Sequence, residues 1–215
     1  MNTLFLQSLL VSFFLSVVFL HAAKRNFWTI ILYGLQSLII AILLVLSFLE
    51  TGAITALFMA GIILVVKVIL TPLFFIKLIK KYNLKFLVST YINIPLTFII
   101  ITILTVIAHS SVFLPLTTIT PSNHLFLSII LATLFISLFL IINRKGVLSQ
   151  ITGVLSLENS MVAFALFSGL EQSLALQIGI IFDIFVWIII TTIFMSMLYK
   201  HFKSFDVTKM EELKD

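Results

Sequence analysis

The sequence predicts an all-α fold, a polytopic membrane bundle of about seven transmembrane helices. Of its 215 residues, 61% are hydrophobic and only 10% are charged. Apolar runs of about 18 or more residues recur along the chain, and a helix of this length crosses a ~30 Å hydrocarbon core. Basic residues cluster at alternate ends of these runs. A soluble domain carries roughly 25% charged residues, so a soluble fold is excluded.

The seven helices are predicted at 3–20, 27–49, 53–76, 86–108, 123–142, 147–170 and 174–199. The first run has the length of a signal peptide, but its basic residues follow it as HAAKRN, so we predict a retained span. The second and third helices are separated only by Glu50, Thr51 and Gly52, and a short turn at 169–173 separates the sixth and seventh. Each of these pairs is therefore predicted to form an antiparallel hairpin.

The positions of the basic residues predict the orientation. Twelve of the thirteen Lys and Arg residues lie in the first, third and fifth connections or in the tail: Lys24, Arg25, Lys77, Lys80, Lys81, Lys85, Arg144, Lys145, Lys200, Lys203, Lys209 and Lys214. By the positive-inside rule, the N-terminus is outside and the C-terminus cytoplasmic, in the cytoplasmic (inner) membrane. Residues 1–215 form one transmembrane domain, with 200–215 as a cytoplasmic tail. The basic clusters are interpreted as topology signals and headgroup contacts, and not as a nucleic-acid surface.

Three ionisable residues lie inside apolar runs: Lys67 in the third helix, Glu158 in the sixth and Asp183 in the seventh. A charge at mid-bilayer depth costs roughly 2.5–3.5 kcal/mol on insertion scales, so such residues mark a partner or a function. If all three are ionised, their charges sum to −1. We hypothesise that one carboxyl binds a proton near neutral pH and relays it. A static structural role for the three groups is the alternative.

The surroundings of Lys67 predict a weak point in the third helix. Thr71 follows one turn later, and Pro72 cannot donate a hydrogen bond to the carbonyl four residues before it. The helix should be kinked or loosened here, which leaves a polar opening. Charge balance favours a carboxylate partner for Lys67, either Glu158, Asp183 or an acid on an adjoining subunit.

The sixth helix carries a row of polar residues. Gln150, Val154 and Glu158 fall on one face at four-residue spacing, and Asn159 lies about 100° away. With Arg144 at the start of the helix, this spacing predicts a polar track that enters from the cytoplasm.

No motif indicates a catalytic centre of the chain's own. There is no cysteine, and the four histidines, at positions 21, 109, 124 and 201, have no ligand spacing. Nucleophile elbows, phosphate-binding loops and dinucleotide fingerprints do not occur. We therefore expect no catalytic residue, no metal and no cofactor, and interpret the chain as one part of a larger assembly.

The approach to the sixth helix reads Asn-Arg-Lys-Gly-Val-Leu from Asn143, with Gly153 and Asn159 downstream. This pattern resembles the small K-type membrane subunit of complex I. The first Glu of that family aligns with Leu155, so Glu158 lies about 4.5 Å deeper on a similar face. The resemblance extends over about 123–215, where Asp183 matches the family's second acid and Phe205-Asp206-Val207 its short tail.

Further motifs cover nearly the whole chain. They are Lys67-Val68-Ile69-Leu70 before Pro72, Leu157-Glu158-Asn159, Ile178-Gly179-Ile180 before Asp183, and Asp206-Val207. These motifs resemble hydrogenase-4 component E, a membrane subunit of the group 4 nickel-iron hydrogenases that are related to complex I. The metal centres of such complexes belong to other chains.

The resemblance implies a subunit of a membrane arm, in contact with antiporter-like subunits and the lipid bilayer. Its function would be proton or sodium translocation coupled to redox chemistry in other subunits. Glu158 and Asp183 would carry protons and Lys67 would tune them, supported by Gln150, Asn159, Thr71 and Pro72. The alternatives are a scaffold subunit without ion transfer, a subunit of a multisubunit cation/proton antiporter, and an independent secondary transporter.

Overall fold

The computed structural model of the chain describes residues 3–81, 88–117 and 124–169, together with Ile193. Within these residues the fold is helical. The α-helices are α1 (Thr3–Ala22), α2 (Asn26–Thr51), α3 (Ile54–Ile63), α4 (Thr71–Lys81), α5 (Ile94–Ala108), α6 (Leu114–Thr117), α7 (His124–Asn143) and α8 (Val147–Phe167). A π-helical turn, Leu64–Leu70, joins α3 to α4, and a 3-10 turn, Ser111–Phe113, precedes α6.

Five helices in the described part of the chain are long and apolar enough to cross a membrane. They are Leu4–Ala22, Asn26–Thr51, Ile54–Lys80, His124–Asn143 and Val147–Phe167. These five match the first, second, third, fifth and sixth predicted helices, and they indicate a multi-pass membrane protein. The seventh predicted helix, Asp183 within it and the tail at 200–215 lie outside the described residues.

The fourth predicted helix, 86–108, is too long. Helix α5 begins only at Ile94 and has 15 residues, about 22 Å at 1.5 Å per residue. The prediction overlooked Pro95, because the residue before a proline avoids the helical conformation. Asn93 caps the helix instead: its Oδ1 accepts the Leu96 N–H at 3.1 Å. The residues from 88 to 93 form an irregular segment.

The first, third and fifth connections meet at one end of the bundle, here called the basic end. The Val88 N–H donates to the Lys24 carbonyl at 2.8 Å, and the Tyr91 N–H donates to the Asn143 carbonyl at 3.0 Å. Thr90 also forms an isolated antiparallel bridge with Arg144. The three connections that were predicted to share one side of the membrane are therefore in direct contact.

The connection between α2 and α3 is a tight turn at the opposite end. Gly52 adopts a left-handed φ of 70°, and its N–H donates to the Phe48 carbonyl at 2.8 Å. A side chain is disfavoured in this conformation, which explains the glycine. The predicted hairpin of the second and third helices is confirmed, since α2 packs along α3, the π-helical turn and α4.

Two apolar clusters fill the interior, one above the other. The cluster near the basic end joins α2, α4 and α8 through Ile30, Phe75, Leu78, Leu148 and Leu155. The other joins α1, α2, α3, α7 and α8 through Leu10, Phe13, Ile40, Leu44, Ile63, Ile130 and Ala163. Along α2, α8 and the α3–α4 span, the polar residues of the interior fall between these two clusters.

Helices α7 and α8 approach most closely at Gly153. A Cβ atom built on Gly153 would lie 2.9 Å from Ile141 Cγ1 and 3.2 Å from the Ile141 backbone nitrogen. Real Cβ atoms do not approach other atoms so closely, and the backbone of α7 would have to move. Small residues commonly permit such close contacts between membrane helices.

Gly153→Ala is therefore expected to lower the free energy of unfolding by about 1–3 kcal/mol, the usual cost of overpacking. The control is Gly61→Ala, because a Cβ atom at Gly61 meets no atom within 4 Å. Thermal unfolding of the purified protein in detergent measures both variants. Equal unfolding temperatures for the two variants would contradict the close contact.

Candidate functional site

Lys67 lies in the middle of the π-helical turn and is completely buried. The Thr71 N–H bonds the carbonyl of Val66, five residues earlier, and the Thr71 Oγ1 donates to the same carbonyl at 2.8 Å. Pro72 follows, where no backbone donor is available. The predicted loosening of the helix beside Lys67 is confirmed. It takes the form of a π-helical turn, a rare element that occurs frequently at functional sites.

Two adjacent side chains of α8 bind the Lys67 ammonium. Its Nζ lies 2.8 Å from Glu158 Oε1 and donates to Asn159 Oδ1 at 3.0 Å. Glu158 is 9% exposed, and Asn159 is fully buried. The predicted carboxylate partner of Lys67 within the chain is thus confirmed as Glu158. Asn159, which points about 100° away from Glu158 around the helix axis, reaches the same ammonium.

Helix α2 supplies the third side of this site. Asn159 Nδ2 donates to Ser37 Oγ at 2.9 Å, and Gln36 Nε2 donates to the Ser156 carbonyl at 3.4 Å. The orientation of the Asn159 amide follows from its partners, because an ammonium only donates and so requires the amide oxygen. The fully buried side chain of Tyr33 lies one turn before Ser37. We did not predict these three residues of α2 from the sequence.

A sequence signal for the α2 residues does exist. Tyr33, Gln36 and Ser37 have spacings of three and four residues, which places them on one helix face within an otherwise apolar run. A polar face in a membrane helix points toward the protein interior. Serines extend the polar contacts to α7, since Ser137 Oγ lies 3.0 Å from Ser156 Oγ and 3.5 Å from Ser160 Oγ.

We call the set of Tyr33, Gln36, Ser37, Lys67, Ser137, Ser156, Glu158, Asn159 and Ser160 the polar layer. It lies between the two apolar clusters, so the charges of Lys67 and Glu158 are removed from water. In a low-dielectric interior, each charge depends strongly on the other, and the two sum to zero. A proton that binds to or leaves either group would change the net charge of the layer. The site therefore has the elements of a proton-transfer site: an acid, a base and hydrogen-bonding neighbours.

Gln150 does not belong to the polar layer. Its Nε2 donates to the Arg144 carbonyl at 2.7 Å at the basic end. Glu158 is eight residues further along α8, a distance of about 12 Å. The predicted polar track from Arg144 through Gln150 is therefore not continuous in the described structure.

Arg144 has a different environment from the one that we predicted. It is 1% exposed and does not contact headgroups. Its guanidinium donates to the last carbonyls of α1: Nη1 to Ala23 at 3.2 Å, and Nη2 to His21 at 3.1 Å and to Leu20. These carbonyls have no partner within the helix, and a cation at a helix C-terminus is favourable. Burial lowers the pKa of Arg144 to about 10, so the group stays charged at neutral pH.

Among the residues that the structure describes, no group of three or more His, Cys, Asp or Glu side chains could hold a metal ion. Hydrogen bonds and the Lys67–Glu158 ion pair account for the polar contacts described above. Chemistry at this site is therefore argued from proton and charge movement.

Comparison with protein-family models found no match to this chain. Comparisons with curated proteins and with solved structures also found no match. The functional argument therefore depends on the geometry of the polar layer and on the sequence motifs.

Proposed function

We propose that this protein is a membrane-arm subunit of a complex I-related, group 4 hydrogenase-type complex, and that it contributes to proton or sodium translocation. The observation that carries the proposal is the buried ion pair of Lys67 and Glu158 on a π-helical turn. An ion pair of this kind is costly to place inside a membrane and is found mainly in ion pathways and proton relays. The sequence motifs around both residues are the basis for the class of complex.

In this proposal Glu158 is the proton carrier and Lys67 its regulator. When Glu158 binds a proton, its attraction to the Lys67 ammonium falls, while Asn159 Oδ1 can still accept a hydrogen bond from that ammonium. The loosened backbone of the π-helical turn allows Lys67 to move without breaking a regular helix. Asp183, the second proposed carrier, lies outside the described residues.

Substituting Glu158→Gln tests the ion-transfer role. Gln keeps the size and the hydrogen-bonding ability of the side chain, but it cannot carry a proton at neutral pH. We expect proton translocation by inverted membrane vesicles to fall at least about tenfold, the lower range for loss of a positioned proton carrier. The redox reaction and the subunit composition should be measured beside it. Unchanged translocation by a fully assembled complex would exclude the relay and favour a scaffold.

The scaffold alternative has an observation in its favour. Lys67 is held by Glu158 and Asn159, and Asn159 is held in turn by Ser37. A network with this many bonds can act as a rigid connection among α2, α8 and the π-helical turn. Only the translocation measurement separates this function from proton transfer, since both predict an assembled complex.

We propose seven spans with the N-terminus outside and the C-terminus cytoplasmic. The contacts among the first, third and fifth connections support this arrangement, because these connections carry Lys24, Arg25 and Lys145. Reporters fused after Lys145 and after Asp215 should both indicate the cytoplasm. An external signal at Asp215 would mean that the segment after α8 does not cross the membrane once.

The proposed partners are antiporter-like subunits and other membrane-arm subunits in the cytoplasmic (inner) membrane. Purification of the tagged chain from native membranes in mild detergent tests this proposal. We expect large, hydrophobic antiporter-like proteins and redox subunits to be purified with it. Recovery of the chain alone would argue against a subunit of any complex.

A further inference from the structure

A groove of about 400 Å³ opens on the surface of the bundle where α1 meets α2 at the basic end. We propose that this groove binds one anionic phospholipid, with the phosphate at Lys24 and Arg25 and an acyl chain along Phe19 and Leu32. The inference is independent of the proposed ion-transfer role. It concerns a defined site, in contrast to the general attraction between basic loops and headgroups.

The two ends of the groove differ in chemistry. Lys24 and Arg25 are exposed at its rim. Phe19 on α1 and Leu32 on α2 lie six and seven residues away from Arg25, so their Cα atoms are about 9–11 Å deeper in the bundle. Trp28, 55% exposed, stands between the charged and the apolar parts. Trp is typical of this position because its amphipathic ring prefers the membrane interface.

The backbone at the rim is fixed from within. The Ala23 carbonyl accepts from Arg144, and the Lys24 carbonyl accepts the Val88 N–H at 2.8 Å. The Arg25 carbonyl accepts the Thr29 N–H at 3.2 Å. These carbonyl dipoles are therefore already bonded, while the side chains of Lys24 and Arg25 remain exposed and held close together. This arrangement favours a phosphate, which would otherwise be repelled by unpaired carbonyl oxygens.

The charges near the groove favour an anion. The acidic residues within the described ranges are Glu50 and Glu158. Glu50 lies at the far end of α2, and Glu158 lies in the polar layer beside Lys67. Neither acid competes with a phosphate for Lys24 or Arg25. A basic pocket between transmembrane helices, with apolar walls below it, is a common form of site for anionic headgroups.

The test uses the full-length chain with the native partners that it retains in detergent. Binding of phosphatidylglycerol is measured by native mass spectrometry and by its effect on the unfolding temperature, with phosphatidylcholine as the neutral comparison. Lys24→Gln combined with Arg25→Gln should weaken phosphatidylglycerol binding about thirtyfold, since each basic side chain contributes about fivefold. The matched control is Lys77→Gln with Lys80→Gln, two exposed lysines near the same end. The control should change binding less than about twofold.

Two further measurements complete the test. Glycerol phosphate, which has the phosphate without the acyl chains, should not displace the bound lipid, whereas displacement at similar concentrations would show an anion site without a lipid. Trp28→Ala should also weaken binding of phosphatidylglycerol, because it removes a wall of the groove. Equal losses for the groove and control pairs, or equal binding of phosphatidylcholine, would overturn the proposal and indicate diffuse surface charge.

Discussion

Replacing Lys67 with Met is expected to lower the free energy of unfolding by roughly 3–5 kcal/mol, the largest effect that we predict for this protein. The substitution leaves the Glu158 carboxylate buried without the ammonium that lies 2.8 Å from it. It also removes the donor to Asn159 Oδ1. The amount of protein in the membrane and its thermal unfolding in detergent measure the effect.

A double-mutant cycle shows whether the loss arises from the pair. Lys67→Met combined with Glu158→Gln should be more stable than Lys67→Met alone, because no charge remains without a partner. Lys77→Met is the control for loss of a lysine, since Lys77 is exposed and lies in the same membrane span. If the double variant is as unstable as the sum of the two single variants, direct pairing is wrong.

The second large effect is expected for Arg144→Met. This change removes the guanidinium that bonds the carbonyls of Leu20, His21 and Ala23. Each buried polar group left without a partner costs about 1–3 kcal/mol, so we expect a loss of at least about 3 kcal/mol in the free energy of unfolding. Arg144→Lys should restore only part of it, because one ammonium cannot span three carbonyls as a planar guanidinium does.

Lys145→Met is the control for the neighbouring position. The Lys145 ammonium lies 4.9 Å from the centre of the Tyr91 ring, a contact worth about 1 kcal/mol or less at a partly exposed site. Thermal unfolding of the three variants should rank Arg144→Met as least stable and Lys145→Met as close to the unchanged protein. A small effect of Arg144→Met would mean that water can replace the guanidinium at the end of α1.

Length and hydrophobicity were sufficient to predict five membrane helices of this fold. An apolar run must form a helix in the membrane because its backbone has no other partners there. The α5 helix was predicted too long for a local reason: the run is apolar on both sides of Pro95, and only the backbone geometry shows where the helix begins. Where an apolar run contains a proline, hydropathy alone is therefore insufficient.

Charge balance predicted the partner of Lys67, but it could not predict the geometry. A buried ammonium requires an anion, and Glu158 was one of two candidates in the chain. The distance between them depends on how α2, α8 and the π-helical turn pack, and the shift to a π-helix is not visible in residue types. The role of Arg144 was missed because a basic residue beside Lys145 in a short connection has the pattern of a headgroup contact. Its burial results from contact with α1, which is distant in the sequence.

The central claim is that Glu158 exchanges a proton while it is buried beside Lys67. Infrared difference spectroscopy of the purified protein, recorded during a pH titration, detects the carbonyl stretch of a protonated carboxylic acid directly. We predict a band that appears and disappears reversibly in the folded protein and is missing from Glu158→Gln. If no such band depends on Glu158 at any pH at which the protein stays folded, the carboxylate is permanently ionised and the pair is a static structural contact.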